Sequence, residues 1–290
     1  MKNRIIILYL ILFNIASAIG LKALVIPQSA IVMSTSNSGI GDALSPDINP
    51  ASISNVKPFF GFSRNIWLGD LQGQKVLVLW DDKNIYSQFS FESLNVNDIE
   101  LRNDVASETP IGFFGAFWYA FDFSRSVNIE KLFPNLNDLK IGYKIKFNLS
   151  KLYTESMYGA TFDIGMQKKI NNNISLGFVF KNYGKEVNKN LKVSTPKLLG
   201  LGISYKTPKI PLKILSDIVF QDKHTLTKIS LNTDFKYINL ILGKTKGKDY
   251  DDVAFGLSIK LKNWSLIYAN LKHDNSNLGN PSSIELRKYF

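Results

Sequence analysis

From residue 138 to Phe290 the chain alternates apolar and polar residues almost without pause, and few folds accept that pattern. Leu139, Ile141, Tyr143, Ile145, Phe147 and Leu149 share one parity; Lys140, Gly142, Lys144, Lys146 and Asn148 share the other. Val253, Phe255, Leu257, Ile259 and Leu261 alternate in the same way with Ala254, Gly256, Ser258 and Lys260. Successive side chains of a strand point to opposite faces, so each such segment has one apolar and one polar face. Segments of this kind recur from residue 57 onward, separated by turn residues such as Asp81-Asp82-Lys83-Asn84, Asn171-Asn172-Asn173 and Gly247-Lys248-Asp249. Fifteen can be drawn, counting 84–93 and 96–103 separately. Most reach the roughly 9–11 residues that cross a membrane as a tilted strand. The pattern predicts an all-β fold, a transmembrane antiparallel β-barrel over 57–290. Bacterial single-chain barrels have an even strand number, which favours fourteen strands, then twelve.

The N-terminus reads as an export signal. Lys2 and Arg4 precede an apolar run from Ile5 to Ile15, and Ala16-Ser17-Ala18 is an A-x-A cleavage site. The run is shorter than the ~20 residues a membrane-spanning helix needs. Residues 1–18 are therefore expected to leave during export by the Sec pathway, placing the protein in the outer membrane of a Gram-negative-type bacterium. Residues 19–56 contain no aromatic residue, no sustained period of two, and prolines at 27, 46 and 50. They predict a compact segment ahead of the first strand, either a plug folded into the lumen or a periplasmic tail.

Several strands carry aromatic residues of the kind that form interfacial girdles: Trp67, Trp80, Trp118, Tyr158, Phe162, Tyr237, Trp264 and Tyr268. Glycines hold the inward parity at Gly142, Gly165, Gly177 and Gly256, leaving room for a plug or for strand curvature. The chain ends as outer-membrane barrels do, with alternating apolar residues before a terminal aromatic. Ile284, Leu286 and Phe290 fit such an assembly signal, and Lys288 departs from it. The barrel-assembly machinery is the partner this implies.

Chemistry-bearing residues are sparse, and no catalytic, cofactor or metal site is predicted. The chain has no cysteine, which removes disulfides and thiol chemistry. His224 and His273 stand in turns without a metal-ligand spacing. The acidic turn Asp249, Asp251 and Asp252 lacks the glycine and glutamate of a calcium loop. Gly243-Lys244-Thr245 lacks the upstream glycine of a phosphate loop. Asp42 and Asp47 suit helix caps or turns, with pairing to lumenal lysines as the alternative. The formal charge of +11 becomes +9 once Lys2 and Arg4 leave. The lysines are spread over strands and turns, which argues against nucleic acid and for a solvated surface, lipopolysaccharide or acidic partners.

One stretch carries a family resemblance. Ile26-Pro27-Gln28-Ser29-Ala30, Gly39-Ile40-Gly41-Asp42-Ala43 and Asn49-Pro50-Ala51-Ser52-Ile53 resemble the opening of PorV/PorQ-type outer-membrane proteins. Those proteins belong to a wider group similar to the FadL fatty-acid channel. Trp67-Leu68-Gly69-Asp70, Leu176-Gly177-Phe178 with Asn182-Tyr183-Gly184, and Leu201-Gly202-Ile203-Ser204-Tyr205 are similar to later motifs of that group. Ser34 to Ser38 replace glycines expected near Ala30. The resemblance implies a fourteen-stranded barrel whose N-terminal segment, including the motif Asn49, Pro50 and Ala51, packs into or against the lumen. It also implies a choice of roles. A PorV-like barrel binds secretion-system components or cargo in type IX-like secretion or surface display. A FadL-like barrel passes hydrophobic small molecules, and a purely structural barrel is the third reading. The inward parity holds Lys, Asn, Ser and Gly more than Leu or Phe, which favours partner binding over transport.

Overall fold

The computed structural model describes residues 23–82, 85–104, 108–131, 137–188, 191–221, 224–248, 250–273 and 279–290. The signal expected at 1–18, Asp249 and the turn residues Lys83 and Asn84 lie outside them. The strands are β1 (Phe59–Ile66), β2 (Gln72–Asp82), β3 (Ile85–Leu101), β4 (Gly112–Asn128), β5 (Leu139–Leu152), β6 (Glu155–Lys169), β7 (Ile174–Asn188) and the short β8 (Leu191–Ser194). They continue as β9 (Leu198–Lys206), β10 (Leu212–Gln221), β11 (His224–Asp234), β12 (Ile238–Gly247), β13 (Tyr250–Leu261), β14 (Trp264–Lys272) and β15 (Ser282–Tyr289).

Each strand pairs antiparallel with its neighbours, and β1 pairs with β15 from Phe59↔Tyr289 to Ile66↔Ser282. That pairing closes the sheet. A closed ladder leaves no free edge and satisfies backbone N–H and C=O groups where no water is available. β8 and β9 occupy one place in the wall, since both pair with β7, so the barrel has fourteen staves. Segments 84–93 and 96–103 prove to be the single strand β3. The break expected at residues 94–95 is continuous ladder, and the irregularity lies two residues on, a bulge with a register shift between Val96 and Ile99 and Asp98 at φ 60°.

The parity sorts as the alternation requires. On β1, Phe60 and Phe62 face outward while Gly61, Ser63 and Asn65 are buried. On β13, Val253, Phe255 and Ile259 are exposed against buried Ala254, Gly256 and Ser258. The exposed set is strongly apolar, as a lipid-facing surface must be. Trp80, Tyr158, Phe162, Tyr237, Trp264 and Tyr268 belong to it. Trp118 does not: it shares parity with Ala116, Ala120 and Asp122, faces the interior and is 1% exposed. Trp67 follows β1 and packs, half-buried, against the interior cluster. Ile284 and Leu286 face outward on β15, and Phe290 stands exposed beyond it.

Residues 23–56 lie against the inward faces. A short helix α1 (Ala30–Ser34) contacts β12 to β15, and a 3-10 turn at Pro50–Asn55 contacts β3 to β6. The largest interior apolar cluster joins Ile31, Val32, Met33, Ile40 and Ile48 of this segment to Val179, Val219, Ile241, Ile267 and Leu271 of the wall.

Replacing Val253, Phe255 and Leu257 together by Asp puts three carboxylates on the lipid face, each costing up to about 2 kcal/mol in the bilayer. The triple variant is expected to be absent from the outer-membrane fraction. The heat-modifiable gel shift of folded barrels, measured on isolated membranes, checks this.

Candidate functional site

The interior segment and the wall meet through three sets of interactions. The first is a glycine track. Gly142 faces the Pro50–Ala51 peptide, and a Cβ there would lie 2.5 Å from Ala51 N. At Gly165 a Cβ would overlap Asn49 Oδ1 and come within 2.9 Å of Pro50 Cδ. Gly177 lies under the Ile40 carbonyl, and Gly243 and Gly256 lie under Ser34–Ser36. These five glycines therefore sit where the segment touches the strands, and a side chain on them would push it away.

The second set is hydrogen bonding to the segment's own backbone. Asn49 is extended (φ −142°, ψ 119°), as the following proline requires. Its Nδ2 donates to the carbonyls of Ile40 (2.9 Å), Met166 (3.2 Å) and Phe178 (3.3 Å), while Oδ1 accepts from Ala51 N (3.0 Å). Ser126 Oγ donates to the Ala51 carbonyl at 3.0 Å. Asn49, Pro50 and Ala51 thus meet at one contact between the segment and β4 to β7. On the opposite side Asp217 of β10 accepts from the N–H groups of Gly39 (2.6 Å) and Ile40 (3.1 Å). The Ser38 and Ser230 hydroxyls lie 2.8 Å apart.

The third set is ionic. Asp47 stands between two wall lysines, with Oδ2 2.7 Å from Lys75 Nζ and Oδ1 2.7 Å from Lys144 Nζ. Lys75 also meets Glu92 (2.8 Å), Lys146 meets Glu92 (2.7 Å), and Lys181 donates to the Asp47 carbonyl (2.6 Å). Farther along, Asp42 pairs with Lys213 at 2.6 Å. Both aspartates therefore make lumenal ion pairs, the alternative to the cap role that their sequence position favoured. Burial works against the ionised Asp47 carboxyl, but Lys144 and Lys75 outweigh it and hold its pKa well below the usual carboxylate range. A depressed folded pKa means the carboxylate's contribution is complete above its unfolded value near pH 4. It is lost only as pH falls through the depressed one.

Beside this cluster lies a cavity of about 40 Å³, room for roughly three waters. Leu24, Ile26 and Val32 line it from the segment, and Glu92, Lys144, Lys146, Asp163, Lys181 and Asn182 line it from the wall. Its wall side is irregular. Lys181 and Asn182 together oppose Asp163, the register shifts there, and Asn182 takes φ 59°. The ladder of β7 also breaks at this point. It pairs with β9 up to Lys181↔Leu198 and with β8 from Lys185↔Ser194, leaving residues 182–184 opposite 195–197 outside the ladder on that side, while Tyr183 and Gly184 stay paired with Phe162 and Thr161 of β6. Side chains take over: Asn182 Nδ2 donates to the Pro196 carbonyl at 3.0 Å, and Thr195 Oγ1 to the carbonyls of Asn182 and Gly184.

The histidines take no part. His224 packs edge-on against Tyr250, and His273 Nδ1 lies 3.0 Å from Asp252. The lumenal set Lys75, Glu92, Asp163 and Lys181 was not singled out by the sequence reading. Lys144 and Lys146 already shared the inward parity there, but their partners come from distant strands.

No family profile and no curated protein matches the chain. Solved structures do. The toluene transporter TodX of Pseudomonas putida superposes with a TM-score of 0.67 at 10% identity, covering 90% of this chain and 98% of TodX. A FadL homologue of Pseudomonas aeruginosa gives 0.63 at 8% identity, covering 91% and 99%. The barrel has the fold of these channels. No family or sequence match supports the narrower PorV/PorQ-type resemblance.

Two substitutions separate the segment from the barrel. Gly165→Ala is expected to make residues 23–56 cleavable by protease while the gel shift of the folded barrel persists. Asp47→Asn leaves two buried lysines short of an anion and is expected to cost about 3–5 kcal/mol, read as a lowered unfolding temperature.

Proposed function

We propose that this protein is a non-enzymatic outer-membrane channel of the FadL type for a hydrophobic small molecule, with residues 23–56 as its movable plug. The observation that carries the reading is the cavity beside Asp47, which is bounded on one side by the plug and on the other by the break in the β7 ladder. A compound entering from the lumen would there meet apolar plug residues, Leu24 and Ile26, next to a stretch of β7 that side-chain bonds rather than ladder bonds join to the β8–β9 side. From that point it could leave sideways into the bilayer. The likeness to TodX and to the FadL homologue supports this role over secretion or surface display.

The charged floor fits a gate better than a resting conduit. The cavity is far smaller than the ~300 Å³ of a small-ligand site, so passage needs the plug to shift. The contacts that would give way are polar and reversible: Asp47 with its lysines, Asp217 with Gly39 and Ile40, and Asn49 with the β6 and β7 carbonyls.

Asn49→Ala combined with Pro50→Gly removes the plug's anchor on β6 and β7 and the φ restraint behind it. The double variant is expected to raise single-channel conductance in planar bilayers and to speed uptake of a hydrophobic probe such as toluene into proteoliposomes. Conductance and uptake equal to those of the unaltered protein would remove the plug role from this motif.

A further inference from the structure

The rim where the chain enters β1 and leaves β15 carries an uneven charge. From β6 round to β15 its hairpins present the exposed lysines Lys168 and Lys169 (β6–β7), Lys209 (β9–β10), Lys236 (β11–β12) and Lys262 (β13–β14), followed by Lys288 on β15. The exposed acid on this arc, among the described residues, is Asp234, and Lys260 Nζ lies 2.5 Å from it. The exposed acids Asp81, Asp82, Glu130 and Asp138 stand on the other arc, between β2 and β5. The lysines therefore form a continuous basic arc around more than half of one rim.

Two of them show what the arc faces. Lys288 Nζ lies 4.9 Å from the centre of the Trp264 ring, and Lys236 Nζ lies 5.0 Å from that of Tyr237. Both rings are exposed: Trp264 shares the outward parity of Leu266 and Tyr268, and Tyr237 stands in the turn just before the outward Ile238 and Leu240. Trp and Tyr in such places settle at headgroup level. A lysine laid over them keeps its stem along apolar surface and its ammonium at the phosphate layer. Lys288 lies along β15 beside the outward Trp264, away from the hairpin tips that a protein docking end-on would meet.

We propose that this arc binds the headgroups of anionic phospholipids and so fixes this rim in the leaflet that contains them. The chemistry is that of a phosphodiester monoanion met by several ammonium groups, each adding an attraction that falls off within a Debye length. The site is independent of what the lumen carries.

The test is native mass spectrometry of the barrel released from nanodiscs of equal phosphatidylglycerol and phosphatidylcholine. The unaltered protein is expected to retain phosphatidylglycerol over phosphatidylcholine by roughly fivefold or more. Lys236→Gln, Lys262→Gln and Lys288→Gln together should abolish the preference with the gel shift of the folded barrel intact. Lys244→Gln, Lys246→Gln and Lys272→Gln on the opposite rim should leave it unchanged. Equal retention of the two lipids by the unaltered protein would overturn the proposal. So would a preference that survives the first triple variant, which would free the arc for an acidic protein surface. Displacement of phosphatidylglycerol by equimolar lipopolysaccharide at the same lysines would assign the arc to lipid A phosphates instead.

Discussion

Everything in this structure follows from closing one hydrogen-bond ladder. A strand in a bilayer cannot leave its N–H and C=O groups unmatched, and β1 on β15 removes the last open edges of the sheet. Once the sheet is closed, parity has only one solution. Phe60, Phe62, Val253 and Phe255 must face lipid, and Ser63, Asn65, Gly142 and Lys144 must face the lumen. The lumen then holds polar groups that need partners, and residues 23–56 supply many of them.

That segment is fitted to the wall by backbone more than by bulk. Its tightest contacts lie over wall glycines, and its carbonyl and N–H groups bond to Asn49, Asp217, Ser126 and Gln167. An interface of that kind holds a definite position without a large apolar core. The ion cluster at Asp47 adds orientation, because one carboxylate must satisfy Lys75 from β2 and Lys144 from β5 together. Such buried pairs contribute little net stability against an apolar substitute, yet breaking one side is costly. A cluster of this sort gives the segment one seated position.

Much of the fold was legible in the sequence because the bilayer imposes a period of two on every stave. Where the sequence reading and the structure part, the cause is local. The expected break at residues 94–95 is bridged, since Leu94 and Asn95 pair with Trp118 and Phe117, and the ladder absorbs Asn97-Asp98 as a bulge that keeps β3 whole. Trp118 has the composition of a girdle residue, but its parity with Ala116 and Ala120 sends it inward beside Leu94. The lumenal site was legible only in part. Lys144 and Lys146 could be placed inside by parity, whereas Asp47 lies 97 residues from Lys144, and nothing local joins them. The short β8 and the break in the β7 ladder left no mark on the alternation, since Asn182-Tyr183-Gly184 reads as the end of a strand and Pro196 as the approach to the next. The PorV/PorQ-type motifs lie on the interior segment and on wall residues that touch it, such as Gly177 and Gly202.

The decisive question is whether the plug must move for anything to pass. The chain has no cysteine, and the Ser38 and Ser230 hydroxyls face each other across the plug and β11 at 2.8 Å. Ser38→Cys with Ser230→Cys would place a disulfide there, and uptake of a hydrophobic probe into proteoliposomes can be compared before and after reduction. A movable plug predicts uptake that is arrested when the bridge is formed and restored when it is reduced. Equal uptake in both states would show that the compound does not need the plug to leave its seat, and would contradict the gate.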